Sequence, residues 1–121
     1  MIGAKNPDEL QGLPIVGASW EGYVIEQIIQ RLDSHLEPYF YRTQSQNEID
    51  LLLVSSGKPI AAIEIKFSSS PKVSRGFYTA IEDVGTIQNF IITPESDDFL
   101  IKETVRVCSL YDFLTNYLIA L

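Results

Sequence analysis

Two short apolar segments, each carrying a carboxylate, follow one another in the middle of the chain. The first is Asp50-Leu-Leu-Leu-Val54 and the second is Ile60-Ala-Ala-Ile-Glu-Ile-Lys-Phe67. The residues between them, Ser55-Ser-Gly-Lys-Pro59, are typical of a hairpin turn. A carboxylate inside an apolar strand is costly to bury unless a cation pairs with it. The pattern therefore predicts two adjacent strands whose acids share one cation.

The chemistry of these acids narrows the choice of cation. Side chains alternate along a strand, so Glu64 and Lys66 share one face, and Asp50 can approach Glu64 from the neighbouring strand. Two carboxylates repel each other unless one is protonated or a metal lies between them. Oxygen ligands suit magnesium or manganese rather than a structural zinc ion. A surface ion pair for Glu64 and Lys66, and a turn-flanking role for Asp50, remain alternatives.

A helix predicted from Trp20 to about Asp33, capped by Ser19, holds a further acid. With successive residues about 100° apart around the axis, the apolar side chains cover one arc. Glu21 falls at about 100°, inside that arc, and Glu26 at about 240°, among polar neighbours. Glu21 is therefore expected to face the core edge and the candidate site, and Glu26 to face solvent. The alternative is that Glu21, in the first turn, only complements the helix dipole.

The same signals along the whole chain predict an α/β fold with a mixed sheet between helices, in the order αβββαβ followed by a C-terminal strand and helix. Predicted strands cover residues 39–43, 48–54, 60–67, 87–93 and 99–107, and further helices cover 74–84 and 109–121. At 121 residues the chain is long enough for one domain. We expect a lead-in over residues 1–16 and a single domain over 17–121.

Other features of the sequence predict a cytoplasmic protein. No apolar stretch approaches the 18 or so residues of a transmembrane helix. Residues 1–14 lack the apolar core of a signal peptide. The single cysteine, Cys108, lies in an apolar run, which is typical of a buried structural thiol.

The charge of the chain is uneven. The net charge of −7 argues against a general nucleic-acid-binding surface. Five cations and three acids lie between Arg42 and Arg75, so this segment carries +2. Ser68, Lys72 and Arg75 flank the start of a predicted helix, which can receive a phosphate. Together with Arg42 they are the candidate phosphate- or nucleic-acid-binding residues, and a capped solvent loop is the alternative.

The pattern of acids and the lysine resembles that of a known superfamily. Gly17-x-x-x-Glu21, Asp50 and Glu64-x-Lys66 are similar to the motif of the PD-(D/E)xK nucleases, which include archaeal Holliday-junction resolvases and many restriction enzymes. A closer resemblance is to the C-terminal domain of bacterial and archaeal AAA-type ATPases of uncertain function. It is carried by residues 17–26, 40–43, 48–51 and 74–78. The superfamily resemblance covers roughly residues 17–93 and implies a restriction-endonuclease-like fold.

The resemblance also implies roles for single residues. Asp50 and Glu64, with the Ile65 carbonyl, would hold Mg²⁺ or Mn²⁺, and Glu21 would support that site through water. Lys66 would orient the attacking water and stabilise charge on the phosphate. Asp50, Glu64 and Lys66 would thus be the catalytic residues.

Two functions stay open at the level of sequence. The first is a metal-dependent DNA endonuclease domain that binds nucleic acid weakly by itself and is delivered by an ATPase module or a second copy of the chain. The second is a non-catalytic interaction or regulatory module that retains the fold. The complete set of Glu21, Asp50, Glu64 and Lys66 favours the first, and the acidic net charge favours the second.

Overall fold

The computed structural model describes residues 14–68 and 72–121. In chain order, the elements are helix α1 (Pro14–Ile29), strands β1 (Glu37–Arg42), β2 (Glu48–Ser55) and β3 (Lys58–Ile65), helix α2 (Arg75–Val84), strands β4 (Gln88–Thr93), β5 (Phe99–Lys102) and β6 (Val105–Ser109), and a short helix α3 (Leu110–Asp112). Helix α3 continues into a π-helical segment, Phe113–Tyr117, and a 3₁₀ turn, Leu118–Ala120.

The six strands form one mixed sheet in the spatial order β1-β2-β3-β4-β6-β5. Strands β1, β2 and β3 pair antiparallel, β3-β4 and β4-β6 pair parallel, and β5 pairs antiparallel with β6. The predicted α/β fold with a mixed sheet flanked by helices is therefore confirmed.

Each face of the sheet is covered by helical structure. On one face, Val24 and Ile28 of α1 pack with Phe113 and Leu118 of the C-terminal segment over β3 and β4. On the other face, α2 buries Phe77, Ala80 and Ile81 against another set of strand residues. The face that carries α2 is the one on which the predicted site lies, because Ala62 of β3 belongs to that second cluster and Glu64 is two residues further along the strand.

Local sequence signals explain the elements around this face. Ser74 caps α2 by accepting a hydrogen bond from the Phe77 amide, and Gly85 ends the helix in the left-handed conformation, at φ 79°. In the β2-β3 hairpin both turn residues, Ser56 and Gly57, have positive φ, at 52° and 77°. Such a turn matches the twist of the two strands and fixes their register.

Both predicted ends of the first helix are wrong. The first helix begins at Pro14 rather than at Trp20, and it ends at Ile29. Proline is favoured at the first helical position because its missing N–H would have no partner there. Residues 14–16 of the expected lead-in are thus helical, and residues 1–13 lie outside the described part of the chain.

The single strand predicted over residues 99–107 is in fact the hairpin of β5 and β6. Glu103 and Thr104 form its turn. The Asn89 backbone N–H donates to the Thr104 carbonyl at 3.1 Å, and the Asn89 side-chain Nδ2 donates to the Thr104 hydroxyl at 3.1 Å. These contacts with β4 hold a turn that has neither glycine nor proline to mark it.

Two further expectations concern Cys108 and the membrane. Cys108 is fully buried in β6, and burial raises the pKa of its thiol to about 12. The prediction of a buried structural thiol is therefore confirmed, since a thiol of this kind is not ionised near neutral pH. Among the described helices, none has the length and apolar character needed to cross a bilayer.

Candidate functional site

A cavity of about 430 Å³ opens at the start of β2 and the end of β3, beside the first turn of α2. Its wall combines acids and cations with a few polar and apolar groups: Glu21, Arg42, Gln46, Glu48, Asp50, Glu64, Ile65, Lys66, Ser74, Gly76 and Phe77. The four residues with implied catalytic or metal-binding side chains, Glu21, Asp50, Glu64 and Lys66, thus lie around one cavity.

The β2-β3 register brings the two central acids together. Leu51 lies opposite Ile63 and Leu52 opposite Ala62, so the next pair along the hairpin is Asp50 and Glu64. Side chains directly opposite each other in an antiparallel pair have Cβ atoms about 4.5–5.5 Å apart. Asp50 Oδ2 also accepts a hydrogen bond of 2.8 Å from the Ile65 amide, which fixes the carboxylate at the end of β3.

Glu64 is buried, with 8% of its surface exposed, and its two carboxylate oxygens have different surroundings. Oε1 accepts hydrogen bonds from Lys66 Nζ and from Ser74 Oγ, each at 3.1 Å. Oε2 is buried and has no hydrogen-bond partner within the described part of the chain. A buried carboxylate oxygen without a partner is energetically costly, so this atom provides a vacant acceptor for a cation.

Burial and repulsion between carboxylates raise the pKa of Glu21, Asp50 and Glu64. Burial raises the pKa of Glu64 above its ordinary value, and the adjacent Lys66 only partly opposes this effect. The pKa of Asp50 is raised chiefly by burial, against the hydrogen bond from Ile65. Burial, followed by the charge of Asp50, raises the pKa of Glu21. A cation that joins these groups would favour their ionised forms.

Glu21 and Glu26 have the different environments that the helical projection predicts. Glu21 is partly buried and lines the cavity, whereas Glu26 is exposed. The Glu26 carboxylate accepts a long hydrogen bond, at 3.4 Å, from the side chain of Gln30.

The backbone of Lys66 is held from two sides. Its amide donates to the Ile92 carbonyl at 2.9 Å, which extends the β3-β4 pairing by one residue. Its carbonyl accepts a hydrogen bond of 3.1 Å from the indole nitrogen of Trp20 on α1. The Lys66 ammonium stays partly accessible, with 35% of the side chain exposed. The sequence marks Trp20 as an apolar helix residue, and nothing in the pattern reveals that its ring nitrogen reaches the end of β3.

The four candidate phosphate-binding residues do not form one cluster. Arg42 lines the acidic cavity, but Glu48 pairs with it at 3.0 Å. Ser68 is exposed after the end of β3, and Lys72 and Arg75 line a separate cavity on the other side of the α2 terminus. The sequence segment that carries +2 is therefore divided between two surfaces.

Ser74 has a second function that its role as a cap does not predict. Its hydroxyl oxygen accepts from the Phe77 amide while its proton is donated to Glu64, so one side chain joins the start of α2 to the central acid. Gly76 allows the start of α2 to lie close to the β1-β2 loop, because a Cβ atom at this position would lie 3.0 Å from the Gln46 carbonyl oxygen.

Replacing Ser74 by alanine is expected to lower the free energy of unfolding by about 1 kcal/mol, the usual result of losing a helix cap. The substitution also removes one of the two donors to Glu64. Chemical denaturation of the purified chain measures the change, and Ser74→Thr, which keeps the hydroxyl, serves as the control. Equal losses in the two variants would show that the hydroxyl does not contribute.

The oxygen ligands of the cavity suit a magnesium or manganese ion that keeps some of its waters. They do not suit a metal whose ligands all come from the protein. Across the described residues, no three His, Cys, Asp and Glu side chains are arranged as a complete metal site. Mg²⁺, however, is commonly bound by one or two carboxylates together with waters and substrate phosphates. Asp50 and Glu64, with the vacant Oε2 atom of Glu64, meet that requirement.

Comparison with known proteins identifies the family. The sequence profile of a domain of unknown function (DUF4143) matches residues 16–113, which is most of the chain. The chain therefore belongs to the DUF4143 family.

Two curated relatives are similar to the chain. They are the uncharacterized proteins Rv2008c of Mycobacterium tuberculosis and Mb2031c of Mycobacterium bovis, each 35% identical over 116 residues. The match includes 96% of this chain but only 26% of each relative, so the chain spans about a quarter of their length. No solved structure matches the chain significantly.

Proposed function

We propose that this member of the DUF4143 family is a divalent-metal-dependent phosphodiesterase domain acting on nucleic acid, in the manner of an endonuclease. The observation that carries the proposal is the buried Glu64 carboxylate, whose Oε2 has no partner in the described part of the chain. Asp50 lies opposite Glu64 in the hairpin register, and Lys66 lies within the same cavity.

The residues that would hold the ion are Asp50 and Glu64, with the Ile65 carbonyl as a further ligand and Glu21 in support through water. When bound, Mg²⁺ or Mn²⁺ supplies Lewis acidity at the phosphate and lowers the pKa of a coordinated water. The carboxylates of Asp50 and Glu64 are already fixed for this role, one by the Ile65 amide and the other by Ser74 and Lys66.

The protein's own contribution to hydrolysis centres on Lys66. Its ammonium is partly accessible at the cavity, so it can orient a water for attack and stabilise negative charge on the phosphate oxygens. Trp20 and Ile92 hold its backbone, so the direction of the side chain from the end of β3 is well defined. Positioned groups of this kind act mainly by being in place before the reaction.

The net charge of −7 supports delivery of the substrate by another module rather than strong binding by this domain alone. Each curated relative is about four times as long as the matched region, which leaves room for such a module. The resemblance to the C-terminal domain of AAA-type ATPases makes an ATPase module the partner we propose, with a second copy of the chain as the other possibility.

One observation favours a second function. Lys66 Nζ lies 3.1 Å from Glu64 Oε1, so this lysine already neutralises the buried acid. In a non-catalytic interaction or regulatory module, that pair would be purely structural, and no metal would be required at the cavity.

Titration with Mg²⁺ and Mn²⁺ by calorimetry tests the metal site. We expect saturable binding by the wild type and a loss of at least tenfold in affinity for Asp50→Asn, about 1.4 kcal/mol or more. The amide can still accept from the Ile65 N–H, so the fold is retained while the charge is removed.

Glu26→Gln is the matched control, since it removes one negative charge from an exposed position outside the cavity. Metal affinity close to that of the wild type is expected for this variant. The metal site would be rejected by a wild type that binds neither ion, or by equal binding in Asp50→Asn.

A further inference from the structure

A second cavity, of about 470 Å³, lies on the other side of the α2 terminus and has a different chemistry. It is lined by Lys72, Val73, Arg75, Tyr78, Thr79, Ile101 and Lys102. Three of these residues are cations and none is an acid. Two of the cations precede or begin α2, whereas Lys102 ends β5, so the cluster forms only when the chain folds.

This concentration of positive charge is unusual in so acidic a chain. Nine Lys and Arg residues oppose sixteen acids in the whole sequence. In the described part of the chain, Arg42, Lys66 and Arg106 each pair with a carboxylate, but Lys72, Arg75 and Lys102 do not. Like charges brought together without a counter-ion repel each other, so an anion that joins them would be stabilised.

The aromatic ring of Tyr78 holds one of the three cations in place. Lys102 Nζ lies over the ring, 5.8 Å from its centroid. A lysine held against an aromatic face has fewer conformations to lose when it binds a ligand. The cavity thus has a partly pre-organised cationic wall.

The two cavities flank one turn of the same helix. Ser74, Gly76 and Phe77 line the acidic cavity, and Arg75 and Tyr78 line the basic one. An α-helix with its side chains is about 10–12 Å across, which a few nucleotides of a backbone can span. A strand whose scissile phosphate lies beside Asp50 and Glu64 would thus have to cross only the first turns of α2 to reach the basic cavity.

We propose that Lys72, Arg75 and Lys102 bind a backbone phosphate of the nucleic-acid strand that is cut in the acidic cavity. The assignment rests on the proposed function and adds to it a definite path for the substrate across the start of α2. It gives Lys72 and Arg75 the phosphate-binding role that the sequence suggests. It adds Lys102 and removes Arg42, which is paired with Glu48.

The test compares two double variants that remove the same charge. Arg75→Gln/Lys102→Gln empties the basic cavity of two cations. Arg31→Gln/Lys58→Gln removes two exposed cations elsewhere, one beyond α1 and one at the far end of the β2-β3 hairpin. Binding of a fluorescently labelled single-stranded oligonucleotide is followed by anisotropy in EDTA, so that no cleavage occurs.

At low salt we expect the cavity variant to bind at least tenfold more weakly than the wild type, and the control variant to bind within about threefold of it. The slope of log Kd against log salt should fall by about 0.7 in the cavity variant, as expected when the contact with one phosphate of a single strand is lost. Equal weakening in both variants would overturn the proposal, because bulk charge would then explain the binding. Unmeasurable binding by the wild type would overturn it as well.

Two further measurements separate this proposal from its competitors. Competition with ATP distinguishes a nucleotide site from a backbone site. The nucleic-acid assignment would be overturned if ATP displaced the labelled oligonucleotide at a lower total concentration of phosphate groups than the unlabelled oligonucleotide does.

The metal titration of Asp50→Asn is independent of the basic cavity, so the two proposals can fail separately. Thermal melts of both double variants, together with Lys102→Gln alone, show whether a change in binding reflects a change in folding.

Discussion

Replacing Lys66 by alanine is expected to lower phosphodiester cleavage by about 10²-fold or more while leaving the affinity for divalent metal unchanged or raised. The ammonium lies 3.1 Å from Glu64 Oε1, so it places a positive charge beside the central acids. It would act on the transition state, because it can approach the phosphate without ligating the ion. Its removal makes the acid cluster more negative, which favours a bound cation.

The same substitution separates the two candidate functions. If Lys66 serves only to neutralise Glu64, its loss leaves a buried carboxylate without its cation, and such a loss typically costs about 3–5 kcal/mol. Nicking of a supercoiled plasmid in Mn²⁺ measures cleavage, and thermal melting of the same protein preparations measures stability. Lys58→Ala, at the exposed β2-β3 turn, is the control for loss of a lysine.

A wild type that does not nick the plasmid, combined with a strongly destabilised Lys66→Ala, would reject the nuclease proposal for this domain. Because the relatives are much longer than the chain, the same assay should be repeated with a full-length relative. Activity confined to the full-length protein would support delivery of the substrate by another module.

Phe113→Ala is expected to reduce the free energy of unfolding by about 3–5 kcal/mol, the range found when a buried aromatic ring is removed. Phe113 is fully buried beneath the sheet, and its ring meets Phe90 edge-on with centroids 5.0 Å apart. Phe113 is the buried residue of the π-helical segment, and its ring packs this segment against β4. Its removal would therefore leave a cavity between β4 and the C-terminal segment.

Tyr111→Ala is the matched control for this prediction. Tyr111 lies two residues earlier in the same C-terminal segment but is 74% exposed, so its loss should change stability by less than about 0.5 kcal/mol. Equilibrium unfolding in urea compares both variants with the wild type. A change below about 1 kcal/mol in Phe113→Ala would mean that the Phe113 ring is not buried against Phe90 in solution.

Much of the site could be predicted from the sequence because its signals are local. The two acids lie on consecutive strands, and the strand alternation together with the intervening turn determines which side chains meet. Ser74 and Gly85 mark both ends of α2 through well-understood capping geometry. The helical projection of Glu21 likewise depends only on its neighbours in sequence.

The features that could not be predicted depend on contacts between distant parts of the chain. The β5-β6 turn at Glu103-Thr104 carries no glycine or proline, and it is held by Asn89 of another strand. Lys102 joins Lys72 and Arg75 only because β5, an edge strand of the sheet, ends beside the first turns of α2 in the folded chain. The strand order β4-β6-β5 has no distinguishing pattern in the sequence.

Trp20 gives the domain an internal optical probe. It is the single tryptophan of the chain, and its indole nitrogen donates to the Lys66 carbonyl at the edge of the candidate site. Indole emission responds to hydrogen bonding and to the polarity around the ring. Because the ring also contacts Tyr23 and Phe67, both partly exposed, a ligand that moves the end of β3 would alter its surroundings. Intrinsic fluorescence of the unlabelled protein therefore reports on Lys66 without the introduction of a dye.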